Sequence, residues 1–425
     1  MGIIKNYSLL ATSPKRKVVL DLIEVGLASL QVERVMTQDF VYQGHILKIQ
    51  GKEYDLENFD RIHLIAFGKG AGAIAKTIES TLEDKLTDGF AIDVSEALFN
   101  KVEFTLGTHP LPSSQNLEFT NKVIEKYKDL SERDLVLVVI CGGGSVMFDS
   151  PYSISLDKLI EVNKALLASG ADIIEMNKIR KHLSKTKGGG LINALSPAKV
   201  VSLIFSDVPG NDLSFIASGP TVKDETTKEE ALNVYQKYNL QGLNLTDYDF
   251  IETPKDDVIF SKVDNILMLS NLTALNAMKN KAQEIGITAN IFSDKFQSDA
   301  ALAAKTLIDN TKEGEILLAG GETTIKVKNP EGKGGRNQVL VLASLDTLPE
   351  NVTISSFDSD GWDNTPAAGA IGDRDLLKSS IEKGINHKEY LEKDNSFTFF
   401  ESVGGSIITD RLPTNMSDLM IVYKS

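Results

Sequence analysis

The chain has 425 residues, a formal net charge of −14, 42% hydrophobic and 24% charged residues, and one cysteine. That length exceeds a single ordinary core and implies two domains. The acidic balance excludes a general nucleic-acid or anionic-membrane surface, so neither partner is expected, and an anionic substrate has to be held by local cations and backbone amides.

In chain order, the start carries no signal-peptide pattern, and Ser13-Pro14 reads as the N-cap and first residue of an amphipathic helix. No apolar run is long enough to cross a bilayer. From residue 61 onward, short β-branched runs alternate with helical patterns. The runs RIHLIAF (61–67), GFAIDV (89–94), LVLVVIC (135–141) and VVSLIF (200–205) predict strands buried on both faces. Ala71–Leu86 and Gln115–Leu130 read as helices between them. Such alternation predicts an α/β chain whose N-terminal domain is a Rossmann-like, doubly wound three-layer sandwich. Residues 241–261 are polar and aromatic without a period, which sets the domains at 1–250 and 251–425. A second α/β series follows: NILMLS (265–270), a helix over Asn276–Ile285, ITANIFS (287–293), a helix over Ala300–Thr311 and EILLAGG (315–321). The stretch Ala319–Gln338 then reads as a β-hairpin leading into a helix. Cys141 has no partner for an intrachain disulfide and no Cys/His cluster has zinc spacing, which implies a reducing, cytoplasmic setting.

The unusual residues gather where strands end, which is where open α/β sheets bind ligands. GKGAG follows the first run and sets Lys69 between glycines, while Asp93 ends the next strand at the distance of a ribose ligand in a dinucleotide fingerprint. A nicotinamide site needs no lysine there, whereas phosphoryl transfer benefits from a cation aimed at the moving group. CGGGS offers Gly142, Gly143, Gly144 and Ser145 as a phosphate-wrapping turn. The basic run NKIRKHLSKTKGGG adds Arg180, Lys185, Lys187, Gly188 and Gly189 as candidates near a polyphosphate. SDVPGND supplies Asp207 and Asp212 for Mg²⁺ or, in the case of Asp207, for accepting a hydroxyl proton, and Ser218-Gly219 is a turn able to touch phosphate. Arg336, after a second glycine pair, offers a planar fork to a carboxylate or phosphate. Asp360 and Asp363 are second-rank metal candidates, and His109 reads as a structural loop histidine.

In order, GKGA, THPLPSS, CGGGS, IRKHLSKTKGGG, SDVPGND, IASGPT, GGETT, GKGGRNQ and DGWDNTPAAGA together resemble the glycerate 2-kinase family, whose C-terminal half is the MOFRL domain. Some of its members were once labelled hydroxypyruvate reductases. The resemblance implies transfer of the γ-phosphoryl of ATP to the 2-hydroxyl of D-glycerate, with Mg²⁺, in a cleft between the domains. It implies Lys69 as charge stabiliser, Asp207 as base or metal ligand, Arg336 as clamp of the glycerate carboxylate with Glu322 and Asn337 beside it, and CGGGS and KTKGGG as nucleotide holders. The chain departs from the family where a glycine-rich turn becomes TDRLPTN around Arg411, where Cys141 replaces serine, and where Val339 replaces glutamate. An NAD(P)-dependent reductase and a non-catalytic nucleotide-binding protein are the competing readings. A homodimer stays open, because nothing in the sequence fixes the oligomeric state.

Overall fold

Val and Ile lose little by being extended, and a strand with both faces covered tolerates no polar alternation. The four apolar runs of the first half accordingly become strands buried along nearly their whole length in the computed structural model, which describes residues 2–425. Three short strands precede them, β1 (Phe40–Gln43), β2 (Ile46–Ile49) and β3 (Lys52–Asp55), forming a small antiparallel sheet. The main sheet contains β4 (Arg61–Phe67), β5 (Asp88–Asp93), β6 (Val102–Leu106), β7 (Asp134–Ile140), β8 (Lys199–Phe205) and β9 (Val263–Leu269). Its order is β6-β5-β4-β7-β8-β9, with β4 parallel to both β5 and β7. That is the order of a doubly wound dinucleotide-type sheet, and its direction of winding reverses between β4 and β7. The expected architecture is therefore present.

The second sheet is mixed: β10 (Thr288–Phe296), β11 (Glu315–Gly321), β12 (Val352–Asp358), β13 (Gly369–Gly372), β14 (Ser406–Ile407) and β15 (Asp418–Lys424), in the order β10-β11-β15-β12-β13-β14. Only β10 and β11 run parallel; β15 lies antiparallel to both β11 and β12. Leu340, Phe399, Phe400 and Met420 are among the side chains buried in this unit's core.

The division into compact units differs from a cut at residue 250. One unit comprises Met36–Ser206 and Asn211–Met268; the other comprises Leu269–Ser425 together with Asp207–Gly210 and the residues up to Val35. The reason is local. Ser13 caps the helix Pro14–Ser29 by accepting from Arg16 N, as its Ser-Pro start predicts, and Gly26 of that helix lets the Met278 side chain approach. Arg16, almost wholly buried, forms a bidentate pair with Asp373, Nε at 2.7 Å and Nη2 at 3.0 Å. The run NILMLS, expected in the second series, is instead the last strand of the first sheet, and residues 241–261 belong to that unit rather than to a junction. The expected hairpin within Ala319–Gln338 does not form either. After β11 the chain is irregular until the helix Arg336–Ser344, with a single bridge from Thr324 to Asp299.

Candidate active site

At the winding reversal, two glycine loops lie against each other. Gly68 has φ +112°, and a Cβ there would sit 2.5 Å from the carbonyl oxygen of Cys141, so only glycine permits this approach. Lys69 N donates to Gly142 O at 2.8 Å, tying the loop after β4 to the loop after β7. Gly144 N donates to Cys141 O at 3.1 Å, whereas the amides of Gly142, Gly143 and Ser145 find no acceptor among the described residues. Those amides and the half-buried Ser145 hydroxyl form a backbone concavity suited to an anion. The Lys69 side chain is exposed and makes no ion pair among the described residues.

The dinucleotide fingerprint does not survive the geometry. Asp93 is buried, and its carboxylate accepts from Gly72 N at 3.0 Å and Val94 N at 2.6 Å. The group expected to hold a ribose instead caps the helix Ala71–Leu82, where a pyrophosphate would have to bind.

The basic segment is mostly structural. Lys181 pairs with Asp224 at 3.0 Å, and both are buried. Lys187, also buried, pairs with Asp149, whose other oxygen accepts from Ser184 Oγ at 2.6 Å. Burial pushes the Lys187 ammonium below its ordinary range despite Asp149. Gly188 N donates to Ser218 O at 3.0 Å and Gly189 N to Gly219 O at 2.8 Å. The glycines expected to hold a nucleotide thus hold the Ser218-Gly219 turn, and the turn's own carbonyls are used in return; Ser218 Oγ donates to Asn177. Lys185 is exposed and beside a second hollow of about 410 Å³, lined also by Lys187, Asn193 and Thr253.

Arg180, on the helix Ile173–His182, behaves differently. Its Nε donates to Asn163 Oδ1 at 2.8 Å, and no carboxylate lies within ion-pair distance among the described residues. Arg180, Ser145, Asp149, Asn163 and Lys187 share a cavity of about 200 Å³. Burial lowers the affinity of Arg180 for its proton, which Asp149 only partly offsets.

Asp207 follows β8, is half-buried, and belongs to the second unit. Asp212 is exposed and caps its own turn, accepting from Ser214 N at 2.9 Å on one carboxylate oxygen.

In the second unit, the expected open fork of Arg336 is already engaged. Nε meets Asp418 Oδ2 at 2.6 Å and Nη2 meets Asp418 Oδ1 at 3.2 Å; Glu322 stands 3.4 Å from Nη2. Asn337 cannot serve a substrate: its amide nitrogen donates to Asp363 and Asp418, and its oxygen accepts from Ser356 Oγ at 2.5 Å. Asp363, expected as a second-rank metal candidate, instead accepts from the backbone nitrogens of Asn337 and Gln338 and so caps the start of the helix Arg336–Ser344. Asp358 lies directly opposite Asp418 across β12 and β15. Burial and the Asp418 charge push Asp358 up to about 9, and burial raises Asp418 to about 6 against the pull of Arg336. Asp360 accepts from Trp362 N at 2.8 Å, and Arg411, in the segment that departs from the family, stacks on the Trp362 ring at 4.4 Å. Asp149, Asn163 and Asp418 were not legible as site residues. Asp418 lies 82 positions from Arg336, and only its place as the first, charged residue of a buried strand hinted at a partner.

The doubly wound sheet, the glycine loops at its reversal and the cationic residues beside them define a small-molecule α/β enzyme of the phosphate-handling kind. The chain belongs to the family defined by the domain of unknown function DUF4147, matched over residues 18–246, joined to the MOFRL family, matched over residues 315–418. It is 35% identical over 86% of its length to a protein of Thermotoga maritima named D-glycerate 2-kinase, covering 91% of that relative. It is 32% identical over 85% of its length to an Agrobacterium vitis protein named putative hydroxypyruvate reductase, covering 87% of it. The crystal structure of glycerate kinase from Thermotoga maritima matches with a TM-score of 0.84 at 30% identity, covering 96% of this chain and 99% of that one.

Proposed function

We propose that the chain is a glycerate 2-kinase, which transfers the γ-phosphoryl of ATP to the 2-hydroxyl of D-glycerate. The observation that carries this reading is Lys69: among the described residues a cation without an ion-pair partner, tied by its backbone to a loop with amides that find no acceptor there, at the winding reversal. Phosphoryl transfer needs little covalent help from the protein, and fixed positive charge and N–H groups aimed at the equatorial oxygens supply most of what it requires. In this reading Lys69 stabilises charge on the moving group while Gly142, Gly143 and Ser145 hold phosphate oxygens. Arg336, its Nε edge fixed by Asp418, offers its remaining donors to the developing charge beside Glu322. Asp207 takes the hydroxyl proton or supplies a metal ligand.

Among the described residues no group of three or more His, Cys, Asp or Glu side chains is gathered to hold a metal. Asp207 can add one carboxylate to a Mg²⁺ that keeps several waters and takes its other ligands from the nucleotide phosphates. Such an ion, when bound, neutralises charge on the phosphate oxygens. Among the described residues no helix is long and apolar enough to cross a membrane, and a chain with one cysteine suits the cytoplasm.

The reaction is tested by incubating the protein with ATP, Mg²⁺ and D-glycerate and reading the product by phosphorus NMR. The 2-phospho isomer is expected; the 3-phospho isomer alone would overturn the regiochemistry. Oxidation of a reduced nicotinamide with hydroxypyruvate, in the absence of ATP consumption, would overturn the kinase reading.

A further inference from the structure

Arg180 and Arg336 are the two guanidiniums offered to this chemistry, and their surroundings are opposite. Arg336 already has Asp418 across its fork and Glu322 at 3.4 Å, so an incoming carboxylate meets two carboxylates first. Arg180 has one hydrogen bond, to the neutral amide oxygen of Asn163, and its two terminal nitrogens have no partner among the described residues. A guanidinium carries five donors, so most of this one's capacity is unspent.

The cavity it borders also contains a deeply buried cation. Lys187 is 2% exposed, and among the described residues its ammonium has Asp149 as its one ion-pair partner while its other protons find no acceptor. Asp149 carries a single negative charge and so cannot neutralise both cations. The hollow thus carries an excess of positive charge in surroundings that solvate it poorly, a state that an entering anion relieves. Its remaining lining includes the exposed Lys164, a third cation, and the apolar side chains of Pro110, Pro112, Val146 and Leu159, with the Ser145 hydroxyl on the side of the glycine turn. At about 200 Å³ it lies below the range of cavities that enclose nucleotide-sized ligands, and suits a short-chain acid.

We propose that this cavity is the acceptor's carboxylate site: Arg180 clamps the carboxylate of the short hydroxy acid, and Asn163 orients the guanidinium for it. The assignment rests on the kinase reading above and moves acceptor recognition from Arg336 to the parallel-sheet unit. Asn163, itself anchored to the carbonyl of Leu159 at 3.0 Å within the helix Leu156–Ala168, holds the Nε edge of Arg180 and leaves its terminal nitrogens for a ligand in the cavity that both residues line. Arg180 is then a substrate-binding residue and Asn163 a positioning residue.

The test compares D-glycerate with its neutral amide, glyceramide, as acceptors in the wild type, Arg180→Gln, Arg180→Lys and Arg336→Gln. A charge-assisted bidentate contact predicts that Arg180→Gln raises KM for glycerate by about 30-fold and reduces the preference for glycerate over glyceramide by a similar factor. KM for ATP is expected to stay within about twofold. Arg180→Lys keeps the charge and loses the fork, so it is expected to fall between the two and carries the test if the glutamine variant melts early by circular dichroism. Arg336→Gln is expected to lower kcat while keeping the preference for the acid. A preference that survives Arg180→Gln, or collapses in Arg336→Gln, would overturn the assignment, as would a KM increase confined to ATP. A wild type that phosphorylates no glycerate at all sinks the kinase reading; an active wild type with an indifferent Arg180 sinks only the carboxylate site.

Discussion

The two ends of the parallel sheet carry similar charged residues and treat them in opposite ways. At the amino ends of the strands every charge is closed. Arg61 donates twice to Asp134, at 2.7 Å each, and Asp134 also accepts from the backbone and hydroxyl of Ser131. His63 meets Asp88 at 2.6 Å, and Tyr127 donates to the same carboxylate at 3.0 Å. Although burial works against ionisation there, His63 and its neighbours hold Asp88 down at about 2. At the carboxyl ends Lys69 has no ion pair, Arg180 has only an amide, and three amides of the glycine turn have no acceptor among the described residues. Saturated pairs hold strands in register; unsaturated ones are what a ligand can complete.

This contrast predicts that damage at the first end shows in stability and damage at the second in turnover. Asp134→Ala strands Arg61 and His63 around a wholly buried position. It should cost about 3–5 kcal/mol in urea unfolding, toward the lower figure because Arg61 is half exposed, with kcat little changed in the folded fraction. Lys69→Ala should leave the urea midpoint in place and lower kcat by about 100-fold, roughly 2.7 kcal/mol of barrier, with nucleotide affinity nearly unaltered. Equal losses of stability in both variants would erase the contrast.

The strained pair of the other unit sharpens it through pH. Asp358, whose carboxyl rises to about 9 in the fold, binds a proton that the unfolded chain gives up near its ordinary value. The folded state then holds more protons across the interval between those values, so stability contributed at this site is largest in acid and declines as pH rises toward 9. Asp358→Asn should flatten that decline and raise the melting temperature at pH 8 relative to pH 5; an unchanged slope would show that Asp358 ionises normally. The smallest effect is reserved for Gly70, at φ +85° with open space around the missing Cβ. Gly70→Ala should cost roughly 1 kcal/mol of stability from backbone strain alone, read as a modest shift in melting temperature.

What the sequence disclosed follows the same division. Continuous apolar runs identified β4, β5, β7 and β8, because full burial leaves a local compositional mark, and the glycine-rich loops were marked by positions such as Gly68 and Gly143, where positive φ and close neighbours demand glycine. The run NILMLS was recognisable as a strand but not assignable to a sheet, since pairing partners lie outside any local window. Ionic partners were the least legible. Lys187 and Arg180 read alike in a basic run, and what separates them is Asp149, which the sequence places 38 and 31 positions away, with nothing to say which cation it neutralises. Arg336 likewise read as free because Asp418 enters from the last strand.

The helix Pro14–Ser29 belongs with a unit whose sheet begins only at β10. During synthesis this helix leaves the ribosome long before the surface that buries Leu20, Leu22, Ile23 and Leu27 exists. The parallel-sheet unit, encoded almost without interruption in between, can close first, while the leading helix waits as an amphipathic segment in need of shielding. Deleting that helix should therefore harm the carboxyl-terminal unit, at the far end of the gene, more than the domain to which it is adjacent in sequence.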